Sequence, residues 1–172
     1  MNTLFIIAGT IAILSAALAV SRINAVHALL YLVVSLLAVG VVLFILGAPF
    51  AAALEVIIYA GAIMVLFVFV IMMLNFGGAL AEEKRRLKPS AWAGPVLLTL
   101  ILAVELVFVT CSGTKGVYRI LMVSPTQVGL SLFGPYMLGV ELASMLLLAG
   151  LVGAYHLARS IGPFRREERG RS

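Results

Sequence analysis

Charge is what this sequence has least of. Only 11% of its 172 residues are Asp, Glu, Lys or Arg, against 63% hydrophobic, which leaves too little polar surface to cover a water-soluble globule of this size. Cysteine is nearly absent as well. Cys111 stands alone, so no internal disulfide can staple the fold, and no Cys/His cluster has metal-ligand spacing. There is no Gly-rich dinucleotide fingerprint, no cysteine set for an iron–sulfur cluster, no internal repeat and no low-complexity tract. The net charge of +5 does not point to nucleic acid, because the twelve basic residues fall in short blocks beside apolar runs and are not interleaved with aromatics on a polar surface. Such a chain needs lipid as its solvent.

What is there in abundance is long uncharged runs. A bilayer core of about 30 Å takes roughly 20 residues of helix at about 1.5 Å rise per residue. Five runs reach that length, over about residues 3–20, 26–46, 52–76, 91–110 and 135–156. The second is closed by Gly47-Ala48-Pro49 and the third by Gly77-Gly78, while Pro135 suits the first turn of the fifth. The first run lacks a basic n-region and a clear small-residue cleavage site, and is expected to be a retained span. The longest loops, about residues 77–90 and 112–133, are too short for an independent domain. The fold class is therefore an all-α membrane protein of five transmembrane helices: a transmembrane domain over residues 1–158 and a basic tail over 159–172.

Orientation follows from the basic residues, which cytoplasmic segments retain. Arg22, Lys84, Arg85, Arg86, Lys88, Arg159, Arg165, Arg166, Arg169 and Arg171 fall on one side and only Lys115 and Arg119 on the other. The bias predicts a periplasmic N-terminus and a cytoplasmic C-terminus. These blocks read first as topology signals and lipid-headgroup contacts, with a specific partner or anionic lipid as the alternative.

Acidic groups inside a membrane are expensive, so each is a functional candidate by default. Three fall within spans: Glu55, Glu105 and Glu141. With the topology above, all three lie in the outer half at depths of roughly 5 to 10 Å by helical rise. Matching depth allows a shared wet, proton-handling cluster; the alternative is that each is capped by its own partner or reaches the interface. No chain of carboxylates crosses the membrane, so a self-sufficient proton pump is not expected. His27 and His156 titrate near neutrality in principle, but their terminal positions favour a structural role. Small residues at four-residue spacing, Ala8/Ala12/Ala16 in the first span and Gly139/Ala143 with Gly150/Ala154 in the fifth, mark faces of close helix packing.

Helix three is the unusual one. Tyr59, whose hydroxyl needs a partner when buried, is followed by the small trio Ala60-Gly61-Ala62 and then by bulky apolar residues. Gly61 lowers the cost of leaving ideal α geometry, so a π-bulge or rotation could be housed near Tyr59 to Val65; close packing without motion is the alternative.

Three stretches carry a family likeness: Asn24-Ala25-Val26-His27-Ala28-Leu29-Leu30-Tyr31, the helix-three run from Leu54 to Val70, and Val140-Glu141-Leu142-Ala143-Ser144-Met145-Leu146-Leu147-Leu148. They resemble the subunit J family of bacterial proton-pumping NADH:quinone oxidoreductase, respiratory complex I, equivalent to mitochondrial chain 6. The resemblance covers all five spans, to about His156. It implies that helix three can carry a π-bulge whose interconversion with α geometry gates a water path, with Tyr59, Gly61, Met64, Val65 and Phe67 in the gating segment. A rotation of about 100°, one residue's worth, would exchange Met64 or Phe67 for smaller neighbours along that path. Glu55 and Glu141 look like family positions, whereas Glu105 does not. The resemblance further implies a non-catalytic subunit of an obligate hetero-oligomer in the bacterial inner membrane, beside membrane-arm subunits of A, H, K and N type. FMN, iron–sulfur clusters and quinone would be held by other subunits, and no cofactor by this chain. Two other readings stay open, a subunit of a cation/proton antiporter complex without redox chemistry and a purely structural linker.

Overall fold

Helix runs through almost everything that a computed structural model of the chain describes, namely residues 2–73, 90–112 and 122–160. In chain order these are α1 (Asn2–Ser21), α2 (Ala25–Ile45), α3 (Pro49–Leu54), a π-helical segment (Glu55–Ile63), α4 (Met64–Met73), α5 (Ser90–Ser112), α6 (Pro125–Leu132) and α7 (Met137–Ser160). No strand occurs among the described residues. α3, the π segment and α4 run on without a break as one span, Pro49–Met73, so five helices are long and apolar enough to cross a membrane. The basic cluster Lys84 to Lys88, Lys115, Arg119, the Gly77-Gly78 stop and the tail beyond Ser160 lie outside the described residues.

Local chemistry explains the boundaries. Asn24 caps α2, its side-chain oxygen accepting from the backbone N–H of Val26 at 2.9 Å and of His27 at 3.4 Å, which satisfies donors that have no intrahelical partner. At the other end Gly47 adopts φ 83°, the left-handed conformation that glycine enters without a Cβ penalty. The Ala48 N–H then reaches back to the Leu43 carbonyl and the Gly47 N–H to that of Phe44, each at 3.1 Å, the paired closure of a Schellman turn. Gly47 therefore ends α2, and Pro49, expected to be part of that stop, instead opens the next helix at a position where its missing N–H costs nothing. The third span accordingly starts three residues earlier than the expected residue 52.

The chain divides into two compact units, Met1–Ser124 and Pro125–Ser172. In the first, α1 and α2 lie antiparallel across the three-residue connection Arg22-Ile23-Asn24. Ala8 and Ile11 of α1 pack with Val34, Ala38, Val41 and Ile45 of α2 and with Leu102 and Val109 of α5 in one buried cluster. The Ala8/Ala12/Ala16 stripe is thus a packing face, as expected, with Ala8 fully buried and Ala12 packed against the cluster. Between the helices, the Ser35 hydroxyl donates to the Ala12 carbonyl at 2.8 Å. α5 joins α2 at Gly94, where the Tyr31 hydroxyl occupies the space that a Cβ would need. Beyond α5 the Val123 N–H donates to the Gly47 carbonyl at 3.1 Å, returning the chain to the turn between the second and third spans.

The second unit is α6 and α7. The stretch over residues 112–133, expected to be a loop, contains the two-turn helix α6; at eight residues it is too short for the apolar-run criterion that found the spans. Gly134 and Pro135 fall in the turn that follows, and α7 begins at Met137. Pro135 therefore sits just before the fifth span and not in its first turn. All described side chains from Glu141 to Arg159 are exposed. Gly139 and Gly150, expected on packing faces, have no atom within 4 Å of where a Cβ would stand.

Candidate gating segment and intramembrane carboxylates

The third span departs from α geometry where its sequence is softest. From Glu55 to Ile63 its backbone is π-helical, and at the exit the Met64 N–H reaches the Tyr59 carbonyl five residues back. π turns are wider and rare, and they persist where local sequence and packing tolerate them. Gly61 is one such tolerance: a Cβ there would stand 3.2 Å from the Val56 carbonyl oxygen, tighter than an ordinary van der Waals contact. Val56 meets a second glycine as well, since a Cβ on Gly40 of α2 would lie 3.2 Å from its Cγ2. The backbone and side chain of one valine are thus each seated against a residue lacking a side chain.

The five residues assigned to the gate differ in what they touch. Gly61 is half-buried, Met64 is 5% exposed against the bundle, and Tyr59, Val65 and Phe67 are turned outward at 50%, 66% and 49% exposure. The segment therefore presents one large flexible side chain inward and three large ones away from its own bundle. An apolar cleft of about 580 Å³ flanks its start, lined by Gly40, Val56, Ile57, Leu102 and Leu106 among others, with Thr99 as the hydroxyl-bearing member.

The three carboxylates occupy different settings. Glu55 opens the π segment and is half-buried. Glu105 is 5% exposed and lies on the α5 stripe Pro95, Leu98, Leu102, Glu105, Val109, with Leu102 three residues before it and Val109 four after it along one helix face. Both of its oxygens lack a hydrogen-bond partner among the described residues. Glu141 is exposed near the start of α7, where its backbone carbonyl accepts from the Ser144 hydroxyl at 2.7 Å. Glu141 belongs to the second compact unit and the other two to the first. Among the described residues no group of three or more His, Cys, Asp or Glu could hold a metal ion.

Sequence reasoning missed the Tyr31–Gly94 and Ser35–Ala12 contacts and the burial of Ser15, which is 0% exposed and whose hydroxyl has no partner among the described residues. The pair Gly94-Pro95 was the available signal for the first. Pro95 stands inside α5 and offers no N–H to the carbonyl four residues back, and Gly94 beside it admits a neighbour's side chain.

Fold and site together define a multi-pass all-α membrane protein with a π-helical interruption in its third span and unpaired polar groups in its core. Over residues 15–157 the sequence matches the family model described as NADH-ubiquinone/plastoquinone oxidoreductase chain 6. It is 54% identical over 161 residues to the NADH-quinone oxidoreductase subunit J of Pseudomonas aeruginosa, covering 92% of this chain and 97% of that one. The subunit J of Escherichia coli is 54% identical over 164 residues, covering 92% and 87%, and that of Buchnera aphidicola subsp. Schizaphis graminum 47% over 160 residues, covering 92% and 98%. The chain belongs to the NADH-ubiquinone/plastoquinone oxidoreductase chain 6 family.

Proposed function

We propose that this chain is a membrane-arm subunit of a proton-translocating NADH:quinone oxidoreductase, and that its third span is a gate coupling quinone reduction to proton movement. The π segment at Glu55–Ile63, coincident with the Tyr59–Gly61 softness of the sequence, is the observation that carries this reading. Returning it to α geometry removes one residue's worth of winding and turns everything beyond it by about 100°. Met64 would then leave the bundle interior, and Val65 or Phe67 would take new neighbours. Packed segments switch between discrete arrangements more readily than they deform continuously, which is what a gate requires. The chain makes and breaks no covalent bond in this role. FMN, iron–sulfur clusters and quinone sit in other subunits, and membrane-arm partners of A, H, K and N type are expected around it in the bacterial inner membrane, with its N-terminus periplasmic.

The test is NADH:quinone activity and proton pumping in membranes carrying Gly61→Leu, with assembly checked on a native gel. An assembled complex that oxidises NADH at a reduced or uncoupled rate supports the gate. Normal pumping by the assembled variant, or failure confined to assembly, leaves Gly61 a packing residue and overturns it.

A further inference from the structure

Four buried side-chain polar atoms have no hydrogen-bond partner among the described residues: Ser15 Oγ, His27 Nε2 and the two carboxyl oxygens of Glu105. All four belong to the same packed unit. Each also sits on the inward stripe of its own helix. Ser15 continues Ala8 and Ile11 in α1, His27 precedes Tyr31, Val34, Ser35, Ala38 and Val41 in α2, and Glu105 lies between Leu102 and Val109 in α5. We infer that the seam between α1, α2 and α5 holds a file of internal water running from His27 to Glu105.

Two contacts set the register of the seam. The Ser35 hydroxyl meets the Ala12 carbonyl across the antiparallel pair, which brings Ser15 level with Leu32. Tyr31 meets Gly94 across the parallel pair α2 and α5, which brings Glu105, eleven residues on, level with Val42. At about 1.5 Å per residue, Ser15 lies about 8 Å and Glu105 about 22 Å along the axis from His27. Ser35 stands between them at about 12 Å on the same scale. The polar groups are therefore strung along most of the roughly 30 Å hydrocarbon thickness.

Among the described residues no hydrogen-bond partner satisfies them. The N–H groups of regular helices are already engaged, the Ser35 hydroxyl proton is committed to Ala12, and no Lys or Arg falls within α1, α2 or α5. The titratable groups facing the seam are His27 and Tyr31 of α2 and Glu105 itself; α1 contributes none, Arg22 lies outside the seam over the Tyr31 ring at 5.2 Å, and Cys111 of α5 is exposed. A buried carboxyl left bare loses the hydrogen bonds it makes in water, which is costly in an apolar interior. Water both donates and accepts and is small enough to enter beside methyl-sized side chains, and Ala8, Ala12 and Ala38 supply such walls. His27 is half-buried at the helix end, which opens the file there. Val109 at 2% and Ile45 at 5% exposure close it beyond Glu105. The seam is a half-channel that delivers water, and any proton it carries, to Glu105 from the His27 side alone.

Silver ion, close to water in size and reactive with thiols in aqueous contact, tests this in membranes containing the assembled protein with Cys111→Ser as background. Ser15→Cys and Ala38→Cys are expected to lose their free thiol on exposure to Ag⁺, while Val104→Cys, on the outward face of α5 at 63% exposure, and Ile45→Cys keep theirs. Adding Glu105→Leu should suppress the loss at Ala38→Cys, and Glu105→Gln should not. If Ser15→Cys and Ala38→Cys stay as inert as Val104→Cys, or if Ile45→Cys reacts and Ser15→Cys does not, the half-channel is wrong. Ala12→Cys replaces Ala38→Cys should that variant fail to accumulate. None of these readouts uses NADH, so the outcome stands apart from the gating proposal.

Discussion

α2 and the third span are adjacent helices of 21 and 25 residues, uncharged except for Glu55, and they keep their shape by different means. α2 has seven of its 21 residues buried in the chain's own bundle and the third span two of its 25. α2 is capped by Asn24, closed by Gly47, bonded to α1 through Ser35 and seated on α5 through Tyr31. It is regular throughout. The third span has one buried residue near each end of its π segment, Ala52 and Met64, and it gives up α geometry for nine residues between them. A helix held on several sides has one low-energy register, whereas a helix held at two points can store an extra residue of winding in the stretch between.

The widest expected gap between the two regions is in the cost of removing side-chain volume. Ile11, packed on α2 at 5% exposure, and Ile57, 65% exposed on the third span, make the pair. Ile11→Ala should destabilise by about 2–5 kcal/mol through the cavity it leaves, and Ile57→Ala by well under 1 kcal/mol, the usual surface range. Thermal unfolding of the purified protein, detected by loss of the helical signal, measures both. A comparable loss for Ile57→Ala in the assembled complex only would mean that a partner subunit covers the third span.

A smaller effect is expected where α5 meets α2. Gly94→Ala places a Cβ where the Tyr31 hydroxyl stands, and overpacking of this kind costs about 1–3 kcal/mol. Tyr31→Phe in the same chain should restore part of the loss. Were the double variant no more stable than Gly94→Ala alone, the contact would not govern the α2–α5 seam.

Ser35→Ala removes the bond to the Ala12 carbonyl and should cost about 0.6 kcal/mol, the average for such bonds between membrane helices. The same melts read it, and a loss above about 2 kcal/mol would show that the hydroxyl also organises other groups in the seam.

Gly61→Ala should barely move stability, because the Cβ crowds only the Val56 carbonyl and the helix can relieve this by returning to α geometry. Its signature is instead a change of exposure downstream: Met64→Cys should become more accessible to a lipid-soluble maleimide, and Val65→Cys less so, in the Gly61→Ala background. Unchanged labelling at both positions would detach Gly61 from the winding of the segment.

Much of this architecture was legible in advance because lipid imposes it. A charge-free run of about twenty residues has one stable form in hydrocarbon, so all five spans and the Ala8 stripe could be read from residue type alone. The starts of the third and fifth spans were displaced because Pro49 and Pro135 each suit either a helix stop or a helix entry, and the neighbouring turn geometry chooses. α6 escaped because a two-turn helix leaves little periodic signal. Of the site, Tyr59 and Gly61 announced a soft place in the third span, but the extent of the π segment, Glu55–Ile63, shows only in the folded chain.

Sequence alone therefore determined that the chain lives in a membrane, how many times it can cross, where its third span is weak and which acids lie within spans. It did so because the hydrophobic requirement acts on each segment separately. Tertiary structure decided that Glu105 and Ser15 are buried without a hydrogen-bond partner among the described residues, and that Tyr31 fills the notch at Gly94. Those facts depend on which helix faces meet and at what register, and on helices that are apolar nearly all the way round, periodicity carries no record of the face that a neighbour will take.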